Sequence, residues 1–149
     1  MKLLIGYVSM SGNTEDIAKL LKDTCEQMGH EVVIAELDGL SVTELRDYDG
    51  VLLGAYTWGD GDLPYEAEDF VDDLETTTLS GLPCAAFGSG DTDYPKYCAA
   101  VDTIEAALLA SGGNIITPGL KIEFDPHTDE QKEACIAFAK AFVSPLLLT

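Results

Sequence analysis

The chain begins with an almost unbroken apolar run, Lys2–Val8, and the pattern then changes period. A continuous apolar run of this length is what a central strand of a parallel sheet needs, since both of its faces are covered. From Ile17 the apolar positions fall at Ile17, Leu20, Leu21, Cys25 and Met28, spaced three or four apart as one face of a helix requires. Gly29 stands where a residue just past a helix end belongs. The opening unit therefore reads as strand, turn, helix.

That unit repeats. Glu31–Glu36 is a strand with charged ends, and 49–55 is an apolar strand. Pro64 followed by Ala67, Phe70, Val71 and Leu74 is a helix with proline at its first turn. The stretch 82–88 predicts a fourth strand, 98–110 a helix, and 114–122 a fifth strand interrupted around Pro118-Gly119. Thr128 and Gln131 have capping-box spacing ahead of a last helix that buries Cys135, Phe138, Ala139 and Phe142. Alternation of this kind implies an α/β fold of three layers, a doubly wound five-stranded parallel sheet of order 2-1-3-4-5. No linker, repeat or low-complexity run divides the 149 residues, so residues 1–149 are expected to form a single domain.

In such a sheet the ligand lies beyond the carboxyl ends of the strands, near the switch point between the first and third. The loops after strands one, three and four should therefore carry the chemistry. The first, Ser9-Met10-Ser11-Gly12-Asn13-Thr14, packs hydroxyls, an amide and a glycine against a helix N-terminus. Unpaired N–H groups and the helix dipole favour an anion there, and a phosphate fits. Ser11 or Asn13 as an ordinary N-cap explains one such residue but not the whole run. The nearest cation in sequence is Lys19, and neither a Gly-Lys-Ser/Thr loop nor G-x-G-x-x-G is present.

After strand three, Tyr56-Thr57-Trp58-Gly59-Asp60-Gly61-Asp62 puts the single tryptophan of the chain in a loop. A tryptophan flanked by Gly and Asp is poorly placed unless it has something flat to cover. After strand four, Gly88-Ser89-Gly90-Asp91-Thr92-Asp93-Tyr94 again ends in an aromatic side chain. Trp58 and Tyr94 could sandwich one ring system, each stacked pair adding about 0.5–1.5 kcal/mol beyond the area buried.

Ser-x-Ser-Gly-Asn-Thr, Thr-Trp-Gly-Asp and Gly-x-Gly-Asp-x-x-Tyr-x-x-x-Cys resemble the three FMN loops of the short-chain bacterial flavodoxins. The likeness runs from Met1 to the last helix. It implies a flavodoxin-like, FMN-binding domain in which Ser9, Met10 (through its backbone), Ser11, Gly12, Asn13 and Thr14 hold the phosphate. Thr57, Trp58, Gly59, Asp60 and Gly61 would line the inner face of the flavin. Tyr94 would stack on its outer face, with Ser89, Gly90, Asp91 and Cys98 bordering the ring. The resemblance implies a low-potential one-electron carrier working between the semiquinone and hydroquinone of FMN, not an enzyme. The Gly59 peptide would turn to accept a hydrogen bond from the reduced ring. Ser9 and Ser11 stand where many relatives have threonines, which keeps the donors. Lys96 in an acidic neighbourhood, and Asp93 where a smaller polar residue is common, are departures that bear on the potential.

Charge narrows the partners. With 27 Asp+Glu against 8 Lys+Arg the formal net charge is −19, which repels nucleic acid and anionic membrane surfaces. Asp60, Asp62, Glu66, Asp69, Asp91 and Asp93 crowd the second and third loops. They would disfavour an anionic reduced ring and steer basic surfaces of redox proteins, such as a flavodoxin reductase and electron-accepting enzymes, an attraction that salt screens. Cys25, Cys84, Cys98 and Cys135 show no C-x-x-C pair, which argues against zinc or iron–sulfur ligation and for free thiols in a reducing compartment. The first apolar run is too short for a signal-peptide core, and no stretch reaches the length of a membrane helix. A cytoplasmic monomer is expected. A phosphoryl-receiver domain needs acids where Ser9 and Ala55-Tyr56 stand, and is excluded. An FMN-dependent quinone or nitro reductase of the same fold remains the main alternative, and an activator of a radical enzyme a third.

Overall fold

The computed structural model describes residues 1–58 and 61–148. The order is β1 (Lys2–Val8), α1 (Asn13–Gln27), β2 (Glu31–Glu36), a 3-10 turn (Val42–Asp47), β3 (Gly50–Tyr56), α2 (Tyr65–Glu75), β4 (Pro83–Gly90), α3 (Ala99–Ala110), β5 (Asn114–Ile115), β6 (Leu120–Glu123), α4 (Asp129–Val143) and a closing 3-10 turn (Ser144–Leu148). The strands are parallel, in the order β2-β1-β3-β4-β5, with β6 also paired to β4. The five-strand order expected from the sequence is therefore present, and its fifth position is filled by two short pieces. β5 pairs with Pro83 and Cys84, β6 with Phe87 through Gly90.

Side-chain alternation along the strands builds the two faces. Leu4, Val8, Val51, Leu53 and Ala55 point to one side, where Phe70 and Leu74 of α2 and Ile104 and Leu108 of α3 cover them. Leu3, Ile5, Tyr7, Leu52 and Phe87 point to the other, against Ile17 and Leu21 of α1 and Phe138 and Phe142 of α4. Each fully buried leucine or phenylalanine contributes about 1.5–3 kcal/mol, so the two layers of contacts dominate the stability. Gly54 is required by this packing, because a Cβ there would lie 2.3 Å from the Phe87 ring.

Helix ends follow local chemistry. Gly29, at φ 93°, closes α1 in a Schellman arrangement, its N–H on the Glu26 carbonyl and the His30 N–H on the Cys25 carbonyl at 3.2 Å. Thr128 and Gln131 make the reciprocal capping box on α4 that their spacing predicts. Pro64 sits at the N-cap of α2 and Cys98 at that of α3, each just outside the helix. Among the described residues no helix is long and apolar enough to cross a membrane, and no cluster of His, Cys, Asp and Glu is arranged to hold a metal ion.

Candidate functional site

The carboxyl ends of β1, β3 and β4 open onto a cleft of about 430 Å³. The first loop brings Ser9, Met10, Ser11, Asn13 and Thr14 to it; the second brings Thr57 and Trp58, with Tyr56 from the end of β3. Ser89, Gly90, Asp91, Tyr94, Lys96, Tyr97 and Cys98 form the third side, and Phe124, just after β6, the fourth. Gly12 and Gly61 do not line it. Gly12 forms the turn that delivers its neighbours, and Gly61 borders an adjoining groove with Asp62, Glu66 and Glu68. Gly59 and Asp60 lie outside the described residues.

At the first loop, the N-cap of α1 is Gly12 in the left-handed region (φ 92°), and no side chain caps the helix. Neither Ser11 nor Asn13 takes the ordinary capping role. Gly12 N–H instead donates to Ser9 Oγ at 3.0 Å, folding the loop back on itself. The first-turn N–H groups of α1 are thus left for an anion, in line with the helix dipole.

Thr14 Oγ1 lies 2.7 Å from Ser89 Oγ, tying the first loop to the third. Both side chains are buried, at 1% and 2% exposure. The acid next along the chain is engaged elsewhere: Glu15 accepts from the Tyr7 hydroxyl at 2.8 Å and from Lys19 at 3.1 Å. The Tyr7 bond, then Lys19, hold its carboxyl below the usual glutamate range. Burial, and then that same carboxylate, push the Tyr7 phenol up to about 12.

The aromatic part is held by backbone. Trp58 and Asp62 exchange two N–H···O bonds, each 2.8 Å, which pinch the second loop and present an indole that is 53% exposed. Tyr56 meets the indole edge-on, with centroids 6.5 Å apart at 74°. The Thr57 hydroxyl oxygen accepts the Ala100 N–H at 3.1 Å, so the second loop caps α3, whose own N-cap residue offers no side-chain bond. Tyr94 stands 58% exposed on a turn in which Asp91 accepts the Asp93 and Tyr94 N–H groups.

Below these rings the chain is crowded. A Cβ on Gly90 would lie 2.8 Å from the Cys98 sulfur, and one on Gly88 would lie 2.3 Å from the Ala55 carbonyl oxygen. Cys98 itself adopts φ 51° and aims its thiol at the Gly88 and Ile122 carbonyls. Burial pushes that thiol up to about 11, so it is a neutral wall and not a nucleophile. Burial also raises the Tyr97 phenol beside it.

The arrangement thus has an anion end of neutral donors and, in the same cleft, two exposed flat side chains from separate loops. A planar group carrying a phosphate fits it. Tyr56, Tyr97 and Phe124 join the lining without having been singled out from the sequence. Tyr56 and Tyr97 do border the two aromatic loops, whereas nothing local marks Phe124.

A family model described as Flavodoxin matches residues 5–138. The chain is 49% identical over 143 residues to probable flavodoxin 1 of Bacillus subtilis, covering 96% of this chain and 90% of that protein. Among solved structures it is similar to oxidised flavodoxin 2 from Bacillus cereus, at 51% identity and a TM-score of 0.95 over 97% of this chain and 99% of that one. It is also similar to a short-chain flavodoxin associated with a non-canonical PDU bacterial microcompartment, at 29% identity and a TM-score of 0.93, covering 97% of this chain and 98% of that one.

Proposed function

The chain belongs to the flavodoxin family, FMN-containing electron carriers rather than enzymes, and on that premise we propose that residues 1–149 act as one FMN-binding domain passing single electrons at low potential. The flavin, when bound, supplies the redox chemistry, and its working partners are other redox proteins. Ser9, Met10, Ser11, Gly12, Asn13 and Thr14 hold the phosphate. Thr57 and Trp58 form the inner wall, Tyr94 the outer, with Ser89, Gly90, Asp91 and Cys98 at the ring's border.

One observation carries this reading: an uncapped helix N-terminus and two exposed aromatic side chains from different loops share one cleft. The low potential follows from charge. With a formal net charge of −19, and Asp62, Glu66, Glu68 and Asp72 in the adjoining groove, added negative charge is repelled at reduced dielectric. The same field favours basic docking surfaces, such as that of a flavodoxin reductase, and the proposed setting is a monomer in the cytoplasm.

The test is an anaerobic dithionite titration of the FMN-loaded protein followed by visible absorbance. Two separated one-electron waves support the carrier reading. A single two-electron wave overturns it.

A further inference from the structure

Three described residues other than glycine adopt positive φ: Ser80, Cys98 and Phe124. Two of them, Cys98 and Phe124, line the same cleft. Phe124 combines two disfavoured states. Its φ of 58° is one that glycine accepts freely and a bulky side chain rarely does. The residue is also 43% exposed.

The surrounding contacts enforce this geometry. Phe124 N–H donates to the Gly90 carbonyl at 2.9 Å, extending the β4–β6 pairing by one residue beyond Gly90↔Glu123. The preceding Glu123 is fixed twice, its carboxylate accepting from the Thr92 N–H and hydroxyl and its carbonyl accepting from Gln131 Nε2 at 3.0 Å. On the other side, His127 N–H donates to the Asp125 carbonyl and to Gln131 Oε1. Strain of this kind persists only where neighbours over-determine it, and it gathers at functional sites. Contacts within the fold do not cover Phe124, which stays 43% exposed and lines the cleft.

We propose that Phe124 is a further flavin-contacting residue, a third aromatic surface that closes the Gly90 side of the cleft against the ring system and keeps water from it. This rests on the reading that Trp58 and Tyr94 enclose the ring in this cleft. Its chemistry is apolar, so it discriminates for a flat ring and is indifferent to the phosphate.

The test uses the full chain stripped of flavin, with FMN and riboflavin as probes titrated by fluorescence, and the thermal midpoint of the flavin-free protein as a second readout. Phe124→Gly should raise both dissociation constants by the same factor, about three- to tenfold for the loss of an aromatic contact, while the flavin-free midpoint stays level or rises. Phe124→Leu, which keeps bulk and strain but removes the ring, should raise both by a smaller common factor and serves if the glycine variant does not fold. Unchanged affinities overturn the proposal. So does an effect on FMN alone, or a fall in midpoint that the affinity merely follows. Tyr94→Ala and Trp58→Ala separate the two levels. If they weaken flavin binding and the Phe124 variants do not, only this inference fails; if they too are without effect, the placement of the ring fails with it.

Discussion

The hydroxyls of Thr14 and Ser89 face each other at 2.7 Å across the seam between the first and third loops, buried from solvent. Two hydroxyls carry two protons, and a bond between them uses one. Because buried donors are normally satisfied, the other proton needs an acceptor. Thr14 sits on the first turn of α1, beside the uncapped N–H groups, and so can direct that proton at a phosphate while accepting from Ser89. Thr14→Val should therefore cost FMN about 1.5–3 kcal/mol, the value of a hydrogen bond to a charged group, and leave riboflavin binding unchanged. Parallel titrations with the two flavins measure this directly, and an equal loss for both would refute it.

Trp58 and Tyr94 are presented by different backbone devices, a pinched pair of N–H···O bonds and an aspartate turn. Their removal should act on the ring alone. Tyr94→Ala and Trp58→Ala should each weaken FMN and riboflavin by a common factor, stacking contributing about 0.5–1.5 kcal/mol in addition to the lost contact area. Phenylalanine at either position should restore most of the affinity. A variant that alters the preference between the two flavins would contradict this division of labour.

His30 is buried at the far end of the sheet, and both of its ring nitrogens lack a hydrogen-bond partner. Burial, and then the nearby amino terminus, lower its pKa from the ordinary value. Well above about pH 6.5 the ring is neutral in the folded and unfolded chains alike, so whatever its unpaired nitrogens cost does not vary with pH. As pH falls below that value through the folded pKa, the unfolded chain takes up a proton that the folded one resists, and stability is lost. Urea unfolding of the wild type and of His30→Leu between pH 8 and pH 5 should give a difference that is flat above pH 7 and turns against the wild type in acid. A difference independent of pH would show that His30 does not titrate in this way.

All four cysteines are buried, with thiols raised to about 11 for Cys25, Cys98 and Cys135 and about 12 for Cys84. At pH 8 the native protein should react with iodoacetamide far more slowly than free cysteine does, and the urea-unfolded chain should take up a label at every cysteine. Intact-mass measurement over time distinguishes the two. Rapid labelling of Cys98 in the flavin-free protein would mean that the Gly88–Gly90 wall opens readily.

Periodicity made much of this legible before any coordinates. β1, β2 and the buried face of α4 fall on the expected residues, because amphipathic spacing records burial directly. On α1, Ile17, Leu21 and Cys25 are buried as expected, whereas Leu20 and Met28 are half-buried and the small Thr14, Ala18 and Thr24 fill the face instead. The 3-10 turn at Val42–Asp47 was not foreseen, although Ser41 and Glu44 form a capping box there as Thr128 and Gln131 do on α4. No periodic run follows it to reveal a helix. The long-range ties were equally hidden. That Thr57 would cap α3, or that Thr14 would meet Ser89, depends on strand register, which loop sequences do not encode. Phe124 was missed for the same reason, since its position in the cleft depends on where the broken fifth strand rejoins β4.

That break has a consequence of its own. Between the two paired stretches β4 spends only Ala85 and Ala86, whereas its partner runs through Ile116, Thr117, Pro118 and Gly119. The surplus is absorbed at a sheet edge where the ladder is already open, so chain length is uncoupled from register there. Added residues would cost little more than the slowly growing entropy of a longer loop. The fold therefore carries a natural point of insertion, where an added segment could be accommodated while the neighbouring strands keep their alignment.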